Sequence, residues 1–255
     1  MILTDTHTHL YSEQFDEDRE DMIQRAMGAG VKRFFIPAID STYTAGMLDL
    51  KKNHPERVFL MTGLHPTHVK ENHMEELQHV KEQLATGTYI AVGEIGVDLY
   101  WDQSTRDIQI QAFHQQIEWA LEYELPIAIH CRNAFDAVFE VLKSHQGKGL
   151  KGIFHCFTGT LEQAQLAIEY GMKLGIGGVV TFKNGKIDQF LHQIDIKNIV
   201  LETDAPYLAP TPYRGKRNES AYLSQVAEKV AAIYELEVLE VARVTTLNSR
   251  EVFNV

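Results

Sequence analysis

Six residues spread along the chain carry side chains suited to holding a metal ion, and each closes an apolar run. The first run, Ile2-Leu3-Thr4-Asp5-Thr6, leads into His7-Thr8-His9. In a strand, residues i and i+2 face the same side. His7 and His9 therefore present two imidazoles to one point in space. Four later runs end on Glu94, His130, His155 and Asp204. A lone histidine at a strand end is commonly a hydrogen-bonded loop residue, and an Asp before Ala-Pro commonly starts a turn. Six such residues at one mouth are another matter. Without a cation, Glu94 and Asp204 would repel each other there, and four imidazoles would compete for few partners. A metal site removes that conflict.

Four histidines and two carboxylates exceed what one tetrahedral ion uses. They suit two divalent ions about 3.5–4 Å apart that share a bridging carboxylate. Glu94 is the expected bridge. His7, His9 and Asp204 are expected on one ion, and His130 and His155 on the other. Mixed nitrogen and oxygen ligands fit zinc, manganese or magnesium, with no thiolate needed. Cys131 and Cys156 each follow a ligand histidine. Alternation turns them away from the ligand face, so both are expected as buried thiols in the wall.

Strand-like and helix-like segments alternate throughout. Strands are expected over 2–7, 33–37, 58–62, 89–94, 126–130, 152–155, 172–176 and 198–203. Helices are expected over 16–29, 42–53, 74–85, 105–123, 133–145, 160–170, 184–192, 219–234 and 238–250. Near-continuous apolar strands separated by helices imply a parallel sheet covered on its faces. Eight such units predict a closed (β/α)₈ barrel, with the six residues at the C-terminal rim where such barrels act. No Gly-rich dinucleotide loop follows the first strand, which argues against a Rossmann sheet. With no linker or composition shift, the whole chain, 1–255, is expected as one domain.

The 255 residues are 44% hydrophobic and 23% charged, ordinary for a globular protein. No apolar run approaches the roughly 18 residues of a membrane span. No basic segment followed by a long apolar one marks a signal peptide. Two cysteines form no disulfide framework, and a cytoplasmic location is expected. Twenty-four lysines and arginines against 35 acidic residues give −11. That excludes a non-specific nucleic-acid coat, which needs a basic face. It leaves room for an enzyme that meets phosphodiesters locally.

Several stretches also match a known family. They are Asp5-Thr6-His7-Thr8-His9-Leu10, Gly93-Glu94-Ile95-Gly96-Val97-Asp98, His130-Cys131-Arg132, His155-Cys156-Phe157-Thr158-Gly159 and Leu201 through Leu208. Arg214-Gly215-Lys216-Arg217-Asn218 and Asn248 fit as well. In combination and order, the chain resembles the TatD-type deoxyribonucleases among the amidohydrolase-like metal-dependent hydrolases, over effectively its full length. The resemblance implies a barrel, a divalent-metal site and hydrolysis of DNA. It implies the same six ligands: His7, His9, Glu94, His130, His155 and Asp204. One position departs: two residues after the second histidine the family usually has Asp or Asn, and here stands Tyr11.

Around this set, Asp98 is a candidate acceptor supporting a ligand, or a loop cap. His65 is a candidate substrate contact or a cap, and Arg132 a candidate phosphate contact or a structural partner of a carboxylate. Arg214, Lys216 and Arg217 form a cationic cluster beside Asp204, read either as a phosphate-steering lip or as a solvated face. Asp204 and Glu94 are the expected catalytic carboxylates, with Asp204 doubling as general base. The expected reaction is metal-assisted cleavage of DNA, on single strands or at ends. Two rivals stand beside it: hydrolysis of a small ester, lactone, phosphotriester or cyclic amide, and a non-catalytic, metal-stabilised scaffold for nucleic acid.

Overall fold

Eight parallel strands run in sequence order around one sheet in the computed structural model, which describes residues 1–255. They are β1 (Leu3–Asp5), β2 (Val31–Ile36), β3 (Val58–Thr62), β4 (Ala91–Asp98), β5 (Ile127–Arg132), β6 (Gly152–Phe154), β7 (Met172–Ile176) and β8 (Ile199–Leu201). The end of the last strand meets the chain just past the first. The Thr6 N–H donates to the Leu201 carbonyl at 3.1 Å, and the Thr6 hydroxyl to the same oxygen at 3.0 Å. The sheet therefore closes into the expected barrel.

Helices α1 (Arg19–Gly28), α2 (Thr44–Asn53), α3 (His73–Leu84), α4 (Arg106–Glu122), α5 (Phe135–Ser144) and α6 (Leu161–Glu169) each follow one strand. In α5 the buried residues Ala137, Val138, Val141 and Leu142 repeat at helical spacing and face the sheet. Thr160 and Gln163 form a reciprocal capping box that starts α6. The helix expected over 184–192 does not form. Short 3₁₀ turns at Gly178–Thr181, Ile187–Gln189 and Leu191–Gln193 take its place. Asn184-Gly185 is turn chemistry, and Lys186 adopts a left-handed conformation (φ 60°) that interrupts helical continuation. After β8, α7 (Leu223–Tyr234) and α8 (Val238–Phe253) complete the outer layer.

Alternation sorts the strand residues into two apolar sets. Phe34, Ile36, Leu60, Val92, Ile129, Phe154 and Leu201 join the large core between sheet and helices. Phe35, Met61, Ala91, Ala128, Ile153 and Val200 form a smaller cluster with Val252 and Phe253 of α8. One residue from each of six strands thus makes an apolar floor inside the barrel, sealed by the end of α8. His130, His155 and Glu202 lie two residues beyond Ala128, Ile153 and Val200, so they point inward one layer above.

Glu94 breaks this pattern. It is three residues past Ala91, and strict alternation would turn it outward. The pairing of β4 with β5 shifts between Val92 and Ile95, which returns Glu94 to the interior. Gly96 makes this local path possible. Its φ is +143°, and a Cβ there would lie 2.0 Å from the His130 carbonyl oxygen. The strand then continues to Asp98, four residues beyond the expected end.

Candidate metal centre

β1 ends at Asp5, earlier than expected, so no ladder sets the directions of His7 and His9. Backbone bonds to neighbouring loops do so instead. Thr8 N–H donates to Phe35 O (3.1 Å), His9 N–H to Ala205 O (2.8 Å) and Asp204 N–H to His7 O (2.9 Å). The last bond also holds Asp204 in a left-handed conformation, with φ 57°. The two imidazoles still converge as the His-x-His spacing predicts, with ring centroids 5.1 Å apart.

The six expected residues come together around Glu94, and its two oxygens divide them. Oε2 lies 3.0 Å from His7 Nε2 and 3.8 Å from His9 Nε2. Oε1 lies 2.8 Å from His130 Nδ1 and 3.6 Å from His155 Nε2. Asp204 Oδ1 stands 3.4 Å from His9 Nε2 and 3.9 Å from Nε2 of both His7 and His155. His65 joins the Oε1 side at 3.3 Å.

Two imidazoles have their outward nitrogen hydrogen-bonded to an oxygen, which prepares the inward nitrogen, and a third has a carboxylate beside it. The Tyr11 hydroxyl donates to the Pro37 carbonyl at 2.9 Å, so its oxygen accepts from His9 Nδ1 at 2.7 Å. This leaves a lone pair on His9 Nε2, facing the centre. Tyr11 thus fills the place where the family usually carries Asp or Asn. Asp98 Oδ2 accepts from His130 Nε2 at 2.8 Å, freeing Nδ1. Glu202 Oε1 lies 2.9 Å from His155 Nδ1 and accepts the Cys156 N–H at 2.7 Å. Such outer partners fix tautomer and ring orientation. Sequence reading assigns Glu202 no role; its signal is its position two residues after Val200, which belongs to the apolar floor inside the barrel.

Charge in this centre is poorly satisfied by the protein alone. His7 Nε2 is close to Glu94 but poorly aimed, and neither nitrogen of this buried ring makes a hydrogen bond. His7 stacks on His155 at 3.4 Å between centroids. His155 Nδ1 and Glu202 Oε2 are likewise buried without a well-directed partner. Burial opposes ionisation of Glu94, yet His7, His155 and His65 outweigh it and hold its carboxyl well below the usual range. Burial likewise opposes the Asp204 carboxylate, and His155 and His9 prevail. Burial disfavours the His155 imidazolium, but Glu202, Glu94 and Asp204 raise its pKa to about 10. Burial and His155 lower that of His7, which stays neutral with a lone pair available. Carboxylates facing misaligned imidazoles fit divalent cations better than they fit one another.

The centre opens into a cavity of about 580 Å³, lined among others by His9, His65, Asp98, Trp101, Arg132 and Tyr207. Thr67 N–H donates to His65 Nδ1 at 3.2 Å. The His65 proton therefore sits on Nε2, making this residue a donor toward the centre. Burial keeps it neutral, with a pKa lowered to about 4. Arg132 lines the cavity and stacks over Tyr100.

The cationic cluster does not line this cavity. Arg217 is taken up by Asp18, with bonds of 2.8 and 2.7 Å, and by the Gln14 carbonyl. Arg214 stacks over Phe182 at 3.6 Å. Lys216 is exposed. A fixed carboxylate and an aromatic face claim two of the three cations locally, so the cluster is no continuous lip. The cysteines also depart from expectation: Cys131 and Cys156 are half-buried and border the cavity. β6 has already ended before Cys156, which turns through φ 43°, so alternation no longer directs it. Burial pushes the Cys131 thiol up to about 12 and that of Cys156 well above its ordinary value. Neither supplies a thiolate.

Comparison with known proteins decides the family. The sequence model described as TatD-related DNase matches residues 4–254. The chain belongs to the TatD-related DNase family. It is therefore one of the amidohydrolase-like metal-dependent hydrolases. A relative from Bacillus subtilis, the uncharacterized metal-dependent hydrolase YabD, is 37% identical over the full length of both chains. The protein named 3′-5′ ssDNA/RNA exonuclease TatD from Erwinia tasmaniensis is 31% identical, over 98% of this chain and 99% of its own. The crystal structure of the TatD homologue YjjV from Escherichia coli superposes with a TM-score of 0.91 at 30% identity, covering 99% of this chain and 98% of that one. No helix of this TatD-family chain is long and apolar enough to cross a membrane.

Proposed function

We propose that the chain hydrolyses phosphodiester bonds of DNA, on single strands or at strand ends, with a pair of divalent cations. The observation that carries this reading is the division of Glu94, with one oxygen toward His7 and His9 and the other toward His130 and His155. His7, His9 and Asp204 would hold one cation and His130 and His155 the other, with Glu94 between them. Zinc, manganese and magnesium all accept ligands from this set. When bound, the cations supply Lewis acidity, bringing a water's pKa toward neutrality and offsetting charge on the phosphoryl oxygens.

The chain's own residues do the rest. Asp204 stays ionised and takes the proton of the attacking water. His65 offers Nε2–H to a phosphoryl oxygen, in a site where a preplaced donor counts for more than in water. Arg132 meets a flanking phosphate. Tyr11 and Asp98 hold His9 and His130 in their working tautomers, and Glu202 places a carboxylate beside His155 Nδ1. The name of the Erwinia relative supports single strands as substrate.

A second reading has one observation in its favour: about 580 Å³ is an ordinary size for a small-molecule site. One experiment separates the two. Labelled single-stranded DNA and a panel of small esters, lactones and phosphotriesters are incubated with the chain, with and without chelator. The nuclease reading expects chelator-sensitive cleavage of DNA. Turnover confined to the small esters would sink it.

A further inference from the structure

We propose that Trp101, backed by Tyr100 and Arg132, is a stacking seat for a nucleobase next to the scissile phosphate of single-stranded DNA. The inference rests on the nuclease reading and specifies how that site grips its substrate. Trp101 is the most exposed of the large apolar side chains, at 71%, and Tyr100 is 51% exposed. Both stand in the loop between β4 and α4. Scattered surface hydrophobes are normal, but these occupy a built position. The Arg132 guanidinium carbon lies 3.7 Å from the Tyr100 ring centroid and 5.5 Å from that of Trp101. The two aromatic rings meet at 90°, 4.8 Å apart. Trp101 and Arg132 both line the cavity that holds the Glu94 centre.

The loop is tied to that centre through one carboxylate. Asp98 Oδ1 accepts the Tyr100 N–H at 2.9 Å, while Oδ2 accepts from His130 Nε2 at 2.8 Å. Leu99 N–H donates to the Arg132 carbonyl at 2.9 Å. Gln109 brackets Asp98 from behind, accepting its N–H at 2.9 Å and donating to its carbonyl at 3.1 Å. The indole is thus presented from a braced base, at a fixed place relative to His130.

The chemistry of this surface selects its occupant. An exposed π-face beside a guanidinium matches a base joined to a phosphate, the pairing that single-strand binding sites use. Arg132 forms no ion pair within the chain, whereas Arg217 is committed to Asp18. In a chain of net charge −11, one cation at the mouth and an uncharged stacking face are what a polyanion can use.

The test compares phosphorothioate-linked dT10, which resists turnover, with a phosphorothioate decamer of abasic sugars. Both are bound to the metal-loaded protein and followed by anisotropy of a 5′ label. Indole fluorescence adds a direct readout, because the other tryptophan, Trp119, is buried. The wild type is expected to bind dT10 about fivefold to a hundredfold more tightly than the abasic decamer, the range of one base–aromatic stack. Its tryptophan emission should change with dT10 alone. Trp101→Ala should erase the preference, and Trp101→Phe should keep part of it. Equal binding of both decamers by the wild type, or undiminished preference in Trp101→Ala, would overturn the proposal. Hydrolysis of bis(p-nitrophenyl) phosphate separates the two levels of inference. A chain that cleaves this diester but binds both decamers alike loses the stacking seat and keeps phosphodiester hydrolysis. A chain that cleaves neither the diester nor ordinary dT10 loses both.

Discussion

Replacing Tyr11 by Phe removes one oxygen and isolates what it does. That oxygen accepts from His9 Nδ1 at 2.7 Å and its proton goes to the Pro37 carbonyl at 2.9 Å. Tyr11 is only 7% exposed, so water does not readily replace it. Two buried polar groups lose their partner, each at a cost of about 1–3 kcal/mol. For a domain of this size, each kcal/mol lowers Tm by roughly 2–4 °C. Together they cost about 2–6 kcal/mol, so a fall of roughly 4–24 °C is expected, even in the metal-free protein. The second effect is specific to His9. Without the acceptor, its proton is free to move to Nε2, the nitrogen that faces Asp204 and Glu94. Loss of such a partner typically lowers metal affinity by about 10- to 100-fold. Calorimetric titration should show one of two ions weakened by that factor, and the ion beside His130 nearly unaffected. Tyr11→Asp, which restores an acceptor of the usual family type, should recover part of the affinity. Two unchanged metal isotherms for Tyr11→Phe would refute the relay from Pro37 through Tyr11 to His9.

Other outcomes follow from the same geometry. Glu94→Gln should weaken both ions together and His130→Ala mainly one; calorimetry that finds Glu94→Gln affecting a single ion would dismiss the bridge. Asp204→Asn should leave oligonucleotide binding largely in place while kcat collapses, read by steady-state cleavage of a labelled single strand. Arg132→Ser should raise KM for DNA and reduce the salt slope by about one, whereas Arg217→Ser should lower Tm through loss of the Asp18 pair; a KM response from Arg217 instead would restore the lip. Metal binding should strengthen as pH rises toward about 10, because the His155 proton must leave. In the metal-free chain that raised pKa stabilises the fold fully below about 6.5, and the stabilisation is lost as pH climbs through about 10. Thermal unfolding across that window, with and without metal, checks the sign.

Apolar runs and their polar ends carried much of the site in the sequence. His130 and His155 follow simple alternation from Ala128 and Ile153, so their inward direction is readable from parity. Glu94 is not readable that way, because a register shift around Gly93 and Gly96 reverses the parity it would otherwise have. The partner of Arg217 is Asp18, 199 residues earlier, and no local spacing announces it. Glu202 is not legible in the sequence, because nothing local distinguishes it from an ordinary carboxylate until it is placed 2.9 Å from His155 Nδ1. The helix expected after β7 failed on local chemistry, since Asn184-Gly185 favours a turn over a helical face.

The bonds that fasten Asp204 to His7, and His9 to Ala205, join the two ends of a long chain. The residues they bring together lie nearly 200 positions apart in sequence, whereas His130 and His155 come from adjacent strands with one helix between them. Loop closure over long separations must be met before its contacts give anything back. The two halves of the centre should therefore mature at different times. Pairing β4, β5 and β6 is enough to bring the His130 and His155 side together with Glu94. The His7, His9 and Asp204 side comes into being only when the ring shuts, which makes its occupation a timer for completed folding.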